Sequence, residues 1–381
     1  MGNLITSKSR LATRQDVDVV KIKTERNSLG VLKTMLVVLL ILIQLAILVL
    51  SAVYISTVFQ AIAIFSMIFT IITCLYVLST NKNSQSKPIW ILFLLTCFTF
   101  GYIIYFISSE NVFWRKYKKP YEKILEKSYK YQSQNTVKVD NTIIEKEIGY
   151  LKSAGNFVAY KNTEVQYFPS GASMYDALLE DLKAAKDFIF MEFFIVSDGV
   201  LLNRIINVLK DKVKNGVDVR LIYDDFGSHG SLSRKMKKTI KKAGIQLFSF
   251  NKMLPKFNVL LNYRDHRKIV VVDGKVAYTG GVNLADEYVN EKRSHGYWKD
   301  CGIRLSGEAV DGLTLNFLRQ YEFVTKKQEK YEKYLKRFEK SENNSIFVPY
   351  ADGLEYKENI GKNVYTNMPI YKHSLLFSMT K

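Results

Sequence analysis

Hydrophobic and polar positions divide the chain into two regimes. Residues 1–33 are polar and basic, and residues 35–79 then run 45 positions without a charged side chain. One helix of that length would measure about 67 Å at about 1.5 Å per residue, roughly twice the hydrocarbon thickness of a bilayer, so the run must fold back. Its more polar middle, SAVYISTVFQ at 51–60, predicts a tight hairpin of two spanning helices turning near Ser56. A third uncharged run at 88–109 is also long enough to span. Basic side chains precede the first run, separate the second from the third (Lys82, Lys87) and follow the third (Arg115, Lys116, Lys118, Lys119). Cations favour the cytoplasmic side, so three full crossings cannot place all these clusters together. Either the third run is re-entrant or interfacial, or one basic cluster lies outside.

From 156 onward the pattern alternates between strand and helix. It predicts strands at 188–196, 217–223, 245–250 and 298–305, helices at 201–214 and 232–243, and one long or broken helix over 310–340. That alternation argues for an α/β sheet with helices on its faces. The organisation is therefore a basic N-terminal segment (1–33), a transmembrane region of two to three helices (34–109), a connector (110–155), an α/β catalytic half (156–340) and a tail (341–381). The connector carries RKYKKPYEK, which reads either as a segment lying along a membrane surface or as a solvated helix. Near an anionic bilayer each cation adds about 1 kcal/mol of attraction.

Composition narrows the partners. A formal charge of +19 over 381 residues implies anions, with lipid head groups and nucleic acid both eligible. Cys74, Cys97 and Cys301 form no C-x-x-C pair, which points to neither a disulfide framework nor a zinc site.

Candidate chemistry concentrates in NYRDHRKIVVVDGKVAYTGGVNLAD at 262–286. RKIVVVD reads as a buried strand, DGK as a turn and VAYTGG as a second strand. His266 and Lys268 are two positions apart, so their side chains share one face. An uncharged imidazole can attack phosphorus, and the ammonium beside it offsets charge on the non-bridging oxygens. Gly280 and Gly281 allow backbone N–H groups to approach a phosphate, and Asn283 supplies an amide donor. Asp273 has an odd offset from His266, which aims it at the opposite face and assigns it to orienting a neighbour from the strand end. Glu192 lies in an apolar strand, where it either hydrogen-bonds near the phosphate pocket or occupies an edge. Asp224 and Asp225 end a strand and read as turn caps rather than metal ligands; His229 and His295 read as surface residues.

HRKIVVVDG followed by TGGVNLADEY resembles the HKD motif of the phospholipase D superfamily, in a spelling most similar to bacterial cardiolipin synthase. MEFFIVSDG, GVDVRLIYDDFGS, YWKDCGIRLSGEAV and KPIWILFLLTCFTFGYIIYF extend the likeness from about residue 31 to about residue 366. The resemblance implies N-terminal transmembrane helices followed by a phospholipase D-type α/β half with a mixed sheet. It implies His266, Lys268 and Asp273 as the catalytic set, with Gly280, Gly281, Asn283 and Glu192 on the substrate. It also implies a multi-pass cell-membrane phosphatidyltransferase that joins two phosphatidylglycerols into cardiolipin and glycerol through a phosphatidyl-histidine, with no metal or nucleotide cofactor.

Such enzymes pair two HKD motifs across one site, and no second H-x-K occurs here: His373 is followed by Ser374 and Leu375. Residues 348–368 look like the start of a second repeat, after which the likeness stops, so the chain reads as truncated. A homodimer would restore two imidazoles by symmetry. The alternatives are a single-motif dimeric phospholipase or nuclease, and an inactive product that only binds anionic membranes. Three apolar runs beside the motif favour lipid over nucleic acid.

Overall fold

The computed structural model describes residues 28–53, 57–79, 87–108, 115–132, 137, 139, 142–252, 263–293, 296–339, 341–343, 345–353, 356 and 360–367. The chain divides into two compact units, the first holding residues 1–76 and 91–102 and the second the remainder.

The N-terminal apolar region folds as α1 (Ser28–Val53) and α2 (Thr57–Ser79), whose ends bracket the expected hairpin; the turn itself lies outside the described residues. Gln60–Ser79, with mean hydropathy 2.5, is the one segment among the described residues long and apolar enough to cross a membrane. The third run is not one spanning helix. It breaks into α3 (Lys87–Thr96) and α4 (Gly101–Ser108), of 10 and 8 residues, both far short of a bilayer. The break leaves carbonyls without helical donors, and buried polar side chains of the first unit take them. Gln44 donates to the Thr96 carbonyl at 2.7 Å and Thr70 to the Phe98 carbonyl at 2.7 Å.

In the second unit, β1 (Thr163–Phe168), β2 (Phe188–Phe193), β3 (Asp218–Asp224), β4 (Gln246–Phe250), β5 (Ile269–Val272), β6 (Val276–Gly280) and β7 (Gly302–Gly307) form one mixed sheet. Its order is β1-β7-β6-β5-β2-β3-β4. β2, β3 and β4 run parallel, and the remaining neighbours are antiparallel. The parallel strands β2 (FIFMEF) and β3 (DVRLIYD) are buried on both faces; β2 is apolar but for Glu192, whereas β3 also buries Arg220 and Asp224. β1 and the helix after it, α7 (Gly171–Ala184), were not predicted individually; the half-exposed β1 has the alternation of neither a core strand nor a helix.

One face of the sheet packs against α7, α8 (Val200–Lys214) and α9 (Arg234–Lys242) through Leu178, Leu182, Ile205, Leu209 and Ile240. The other face packs on α10 (Ala309–Thr325), which is buried from Ala309 to Phe323. A helix buried on every side needs partners for its polar groups, and Arg319, Gln320 and Glu322 each have one, while Arg319 Nη2 and Gln320 Oε1 have none among the described residues. Arg319 donates to Ser128 Oγ at 2.7 Å, Gln320 donates to Asp265 Oδ2 at 2.9 Å, and Glu322 pairs with Lys127 at 2.7 Å. The expected helix over 310–340 stops at Thr325 because Lys326 adopts a left-handed φ of 61°, and a short 3-10 turn, Tyr331–Lys333, follows.

Two of those partners come from the connector, one face of which therefore packs on the sheet domain. In α5 (Arg115–Tyr129) the described inner face, Tyr121, Leu125 and Ser128, is buried against α10, so this helix is part of the core. α6 (Thr142–Gly155) likewise packs its Leu151 with Ile360 and Val364 of α11 (Ile360–Asn367), a helix whose first N–H groups are capped by Asp352.

Candidate active site

The motif begins one turn of backbone before β5. Residues 263–268 are extended but outside the regular ladder, so side chains rather than strand pairing hold them. The Asp265 N–H donates to Asp224 Oδ2 at 2.9 Å, the Arg267 N–H to Asp265 Oδ1 at 3.3 Å, and Thr279 Oγ1 to the Lys268 carbonyl at 2.9 Å. Asp224 also accepts from the N–H groups of Phe226 and Gly227, which makes it the turn cap that its position at the end of β3 implies. Its complete burial raises its carboxyl to about 6 against the pull of those donors.

Alternation then separates two sets of side chains. His266 and Lys268 point to the α7–α8 face, that of Val270. The imidazole lies 4.7 Å, centroid to centroid, from the Phe194 ring just past β2, and the Lys268 ammonium sits over the same ring at 5.6 Å. Lys268 Nζ donates to the His266 carbonyl at 2.7 Å. Burial lowers this amine from 10.5 to about 8, opposed by the nearby carboxylates of Asp265 and Asp300. Asp300 was not singled out in the sequence; only its pairing across the sheet from the glycines brings it here.

Asp265 and Arg267 point to the opposite face, that of α10. There they meet Glu192, which pairs with Ile269 in the sheet register and therefore shares its face. Arg267 Nε lies 2.9 Å from both Glu192 Oε1 and Asp265 Oδ1. Burial holds the Glu192 carboxyl well above the usual range, against the pull of Arg267. Asp265 is equally buried, yet Arg267 and hydrogen bonds from Glu192 and Arg267 outweigh burial and hold it below its ordinary value. One proton on Glu192, one charge on Asp265 and one on Arg267 make the cluster neutral. Glu192 thus stands on a central strand behind the motif, not at an edge and not in the phosphate pocket.

Asp273 lies at the far end of β5. Its carboxylate accepts from the N–H groups of Lys186, Asp187 and Phe188 at 2.8, 2.8 and 2.9 Å, tying the β5–β6 turn to the start of β2. It does not meet the imidazole, so its place in the catalytic set is corrected to that of a brace. Asn283 is 2% exposed and already engaged: Oδ1 accepts from the Ile195 N–H at 2.9 Å and Nδ2 donates to the Tyr288 hydroxyl at 2.8 Å. The glycines serve close packing. A Cβ on Gly280 would lie 2.5 Å from the Cys301 carbonyl and one on Gly281 2.0 Å from Asp300 Oδ1, while the Gly281 N–H donates to Cys301. Close packing and the bonds of Asn283 and of the Gly281 N–H thus tie these three residues into the fold. His229 is exposed, and His295 and His373 lie outside the described residues. Among the described residues no group of three or more His, Cys, Asp or Glu is placed to hold a metal.

Residues 178–297, which include His266, Lys268, Glu192 and Asn283, match the family described as cardiolipin synthase, PLD-like domain. The chain belongs to the phospholipase D superfamily. Within it, an uncharacterised protein of Streptococcus mutans is 33% identical over 312 residues, covering 80% of this chain and 68% of that protein. A cardiolipin synthase of Oceanobacillus iheyensis is 32% identical over 248 residues, covering 62% of this chain and 52% of the relative. The chain thus spans about half the length of the cardiolipin synthases that it matches. Among solved structures, the phospholipase D family member Nuc from Salmonella typhimurium is similar at 19% identity and a TM-score of 0.32, covering 42% of this chain and 95% of that one.

Proposed function

We propose that this chain is a membrane-bound phosphatidyltransferase of cardiolipin synthase type. The observation that carries the reading is the pairing of His266 with Lys268 over the Phe194 ring, at the sheet end where β2 and β3 finish. An imidazole nitrogen attacks the phosphorus of phosphatidylglycerol, the P–O bond to the head-group glycerol breaks, and that glycerol leaves with a proton. A hydroxyl of a second phosphatidylglycerol then attacks the phosphatidyl-histidine, loses its proton and releases His266. The sum is two phosphatidylglycerols converted to cardiolipin and glycerol. Lys268 offsets phosphate charge throughout.

Both steps need a second acid or base, and His266 is the sole histidine of the sequence in an H-x-K pattern. We assign that role to the imidazole of a second copy paired about a two-fold axis. The membrane assignment draws on Gln60–Ser79 and on its outward apolar side chains, such as Ile64 and Phe65, exposed by 60% and 63%.

Purified protein given labelled phosphatidylglycerol in detergent should yield cardiolipin and glycerol, and His266→Ala should abolish both. Phosphatidic acid as the main product would replace the transferase reading with a phospholipase. Absence of any product, or turnover surviving the substitution, would remove the site. Cross-linking of the same sample should give a dimer, and a monomer with full activity would refute the paired imidazoles.

A further inference from the structure

A second basic feature plays no part in that chemistry. Helix α9 reads RKMKKTIKK, with six cations in nine residues and no acid. Ile240 and Met236 turn its inner face to the core, whereas Arg234, Lys235, Lys238, Lys241 and Lys242 are exposed. Within this helix Arg234 and Lys238, Lys237 and Lys241, and Lys238 and Lys242 stand four apart, where like charges destabilise a helix. Arg234 and Lys235 also oppose the positive end of the helix dipole. Among the described residues only Lys237 has a carboxylate partner, Asp225 at 3.7 Å. Against this repulsion stand, among the described residues, that pair, Lys237 over the Tyr223 ring at 4.9 Å, and the place of Lys241 and Lys242 at the negative end of the helix.

The helix is joined to the candidate active site by its preceding loop. Gly227 approaches so near Phe194 that a Cβ there would lie 2.4 Å from the Phe194 carbonyl, and Ser228 Oγ donates to the same carbonyl at 3.3 Å. Phe194 is the ring against His266. In that loop Phe226 is 49% exposed, with the Arg264 guanidinium 4.9 Å from its ring. The loop that joins the candidate active site to this cationic helix thus carries an outward apolar ring.

We propose that α9 and Phe226 form a docking surface for an anionic bilayer, the helix resting on lipid head groups and the ring dipping among them. Charge complementarity favours a polyanion, and the exposed ring favours a bilayer over a nucleic acid, whose single strands are held by several stacking aromatics. The inference rests on the proposed membrane activity and adds to it the part of the catalytic half that meets the head groups.

The test labels lysines rather than reading turnover, so the two proposals fail separately. Full-length protein is placed in nanodiscs of phosphatidylcholine alone, or mixed with phosphatidylglycerol or phosphatidylserine, and pulsed with an amine-acetylating reagent. Lys235, Lys238, Lys241 and Lys242 should label several-fold more slowly in both anionic discs, and the protection should fade with salt. Lys183, 57% exposed on α7, which packs towards β7 and β1 at the other edge of the sheet from β4 and α9, should label alike in all discs. Equal labelling of the α9 lysines in neutral and anionic discs would overturn the proposal. So would protection by phosphatidylglycerol but not phosphatidylserine, which would assign the effect to bound substrate. Protection in neutral discs by a single-stranded oligonucleotide would show a nucleic-acid surface instead. The variant K235Q/K238Q/K242Q removes repulsion rather than packing, so it should fold, match the parent in detergent turnover and lose the protection of Lys241.

Discussion

Replacement of Asp273 tests whether the last residue of the motif acts on substrate or on the fold. Its carboxylate accepts three backbone N–H groups at 2.8, 2.8 and 2.9 Å and is 7% exposed. Hydrogen bonds to a charged acceptor contribute about 1.5–3 kcal/mol each, less when three share one carboxylate. Asp273 also adopts φ of 53°, a left-handed conformation that costs most side chains about 1–2 kcal/mol and that Asn and Asp tolerate. Asp273→Ala should therefore destabilise the second unit by about 3–5 kcal/mol. Asp273→Asn keeps one acceptor oxygen and the tolerated backbone, and should cost about 1–2 kcal/mol. Denaturant unfolding in detergent, followed by tryptophan fluorescence, measures both. Turnover per folded molecule should stay within a few-fold of the parent for Asp273→Asn. If that variant unfolds with the parent yet loses turnover by orders of magnitude, the brace assignment is wrong and Asp273 belongs to the reacting groups.

Further outcomes follow from the same geometry. Lys268 carries its charge below about 8 and loses it above, so kcat/KM should fall on an alkaline limb near pH 8, measurable with buffered detergent assays. The stability effect runs the other way: between about 8 and 10.5 the folded state has released this proton and the unfolded chain has not, so this group adds stability as pH rises. Arg267→Met strips the charge from a buried cluster and should cost about 3–5 kcal/mol, whereas Glu192→Gln replaces a protonated carboxyl and should stay within about 1 kcal/mol; comparable losses would show Glu192 ionised. Gly281→Ala must displace Asp300, whose charge supports the Lys268 ammonium, so its alkaline limb should shift to lower pH.

Strands β2 to β7 and helices α8 and α9 were legible because their apolar periods are clean, whereas β1, α7 and the stop at Thr325 were not; the shared face of His266 and Lys268 follows from their two-residue spacing. Asp273 was legible only as lying on the other face; its three donors come from residues 85 to 87 positions away. Glu192 misled for a related reason. A carboxylate in an apolar strand announces a partner, but only the register that sets it beside Ile269 shows that the partner is Arg267 and the face is the rear one. Asn283 and the two glycines resemble a phosphate cradle in sequence, yet Tyr288, Ile195 and Asp300 claim their space and donors in the fold. The break between α3 and α4 had no proline to mark it; it shows in the carbonyls of Thr96 and Phe98, to which Gln44 and Thr70 donate.

The four residues of β5 are all buried, flanked by β2 and β6, and anchored at the far end by Asp273. His266, three residues before this stem, is held from both sides, by Asp224 on the Asp265 N–H and by Thr279 on the Lys268 carbonyl, and so has little travel of its own. In the proposed reaction, any rearrangement that admits one lipid, expels glycerol and admits the next falls to segments around the stem, such as the turn bearing Phe226. Alterations in those segments should change how fast substrates exchange, while the intrinsic speed of phosphoryl transfer stays with the stem.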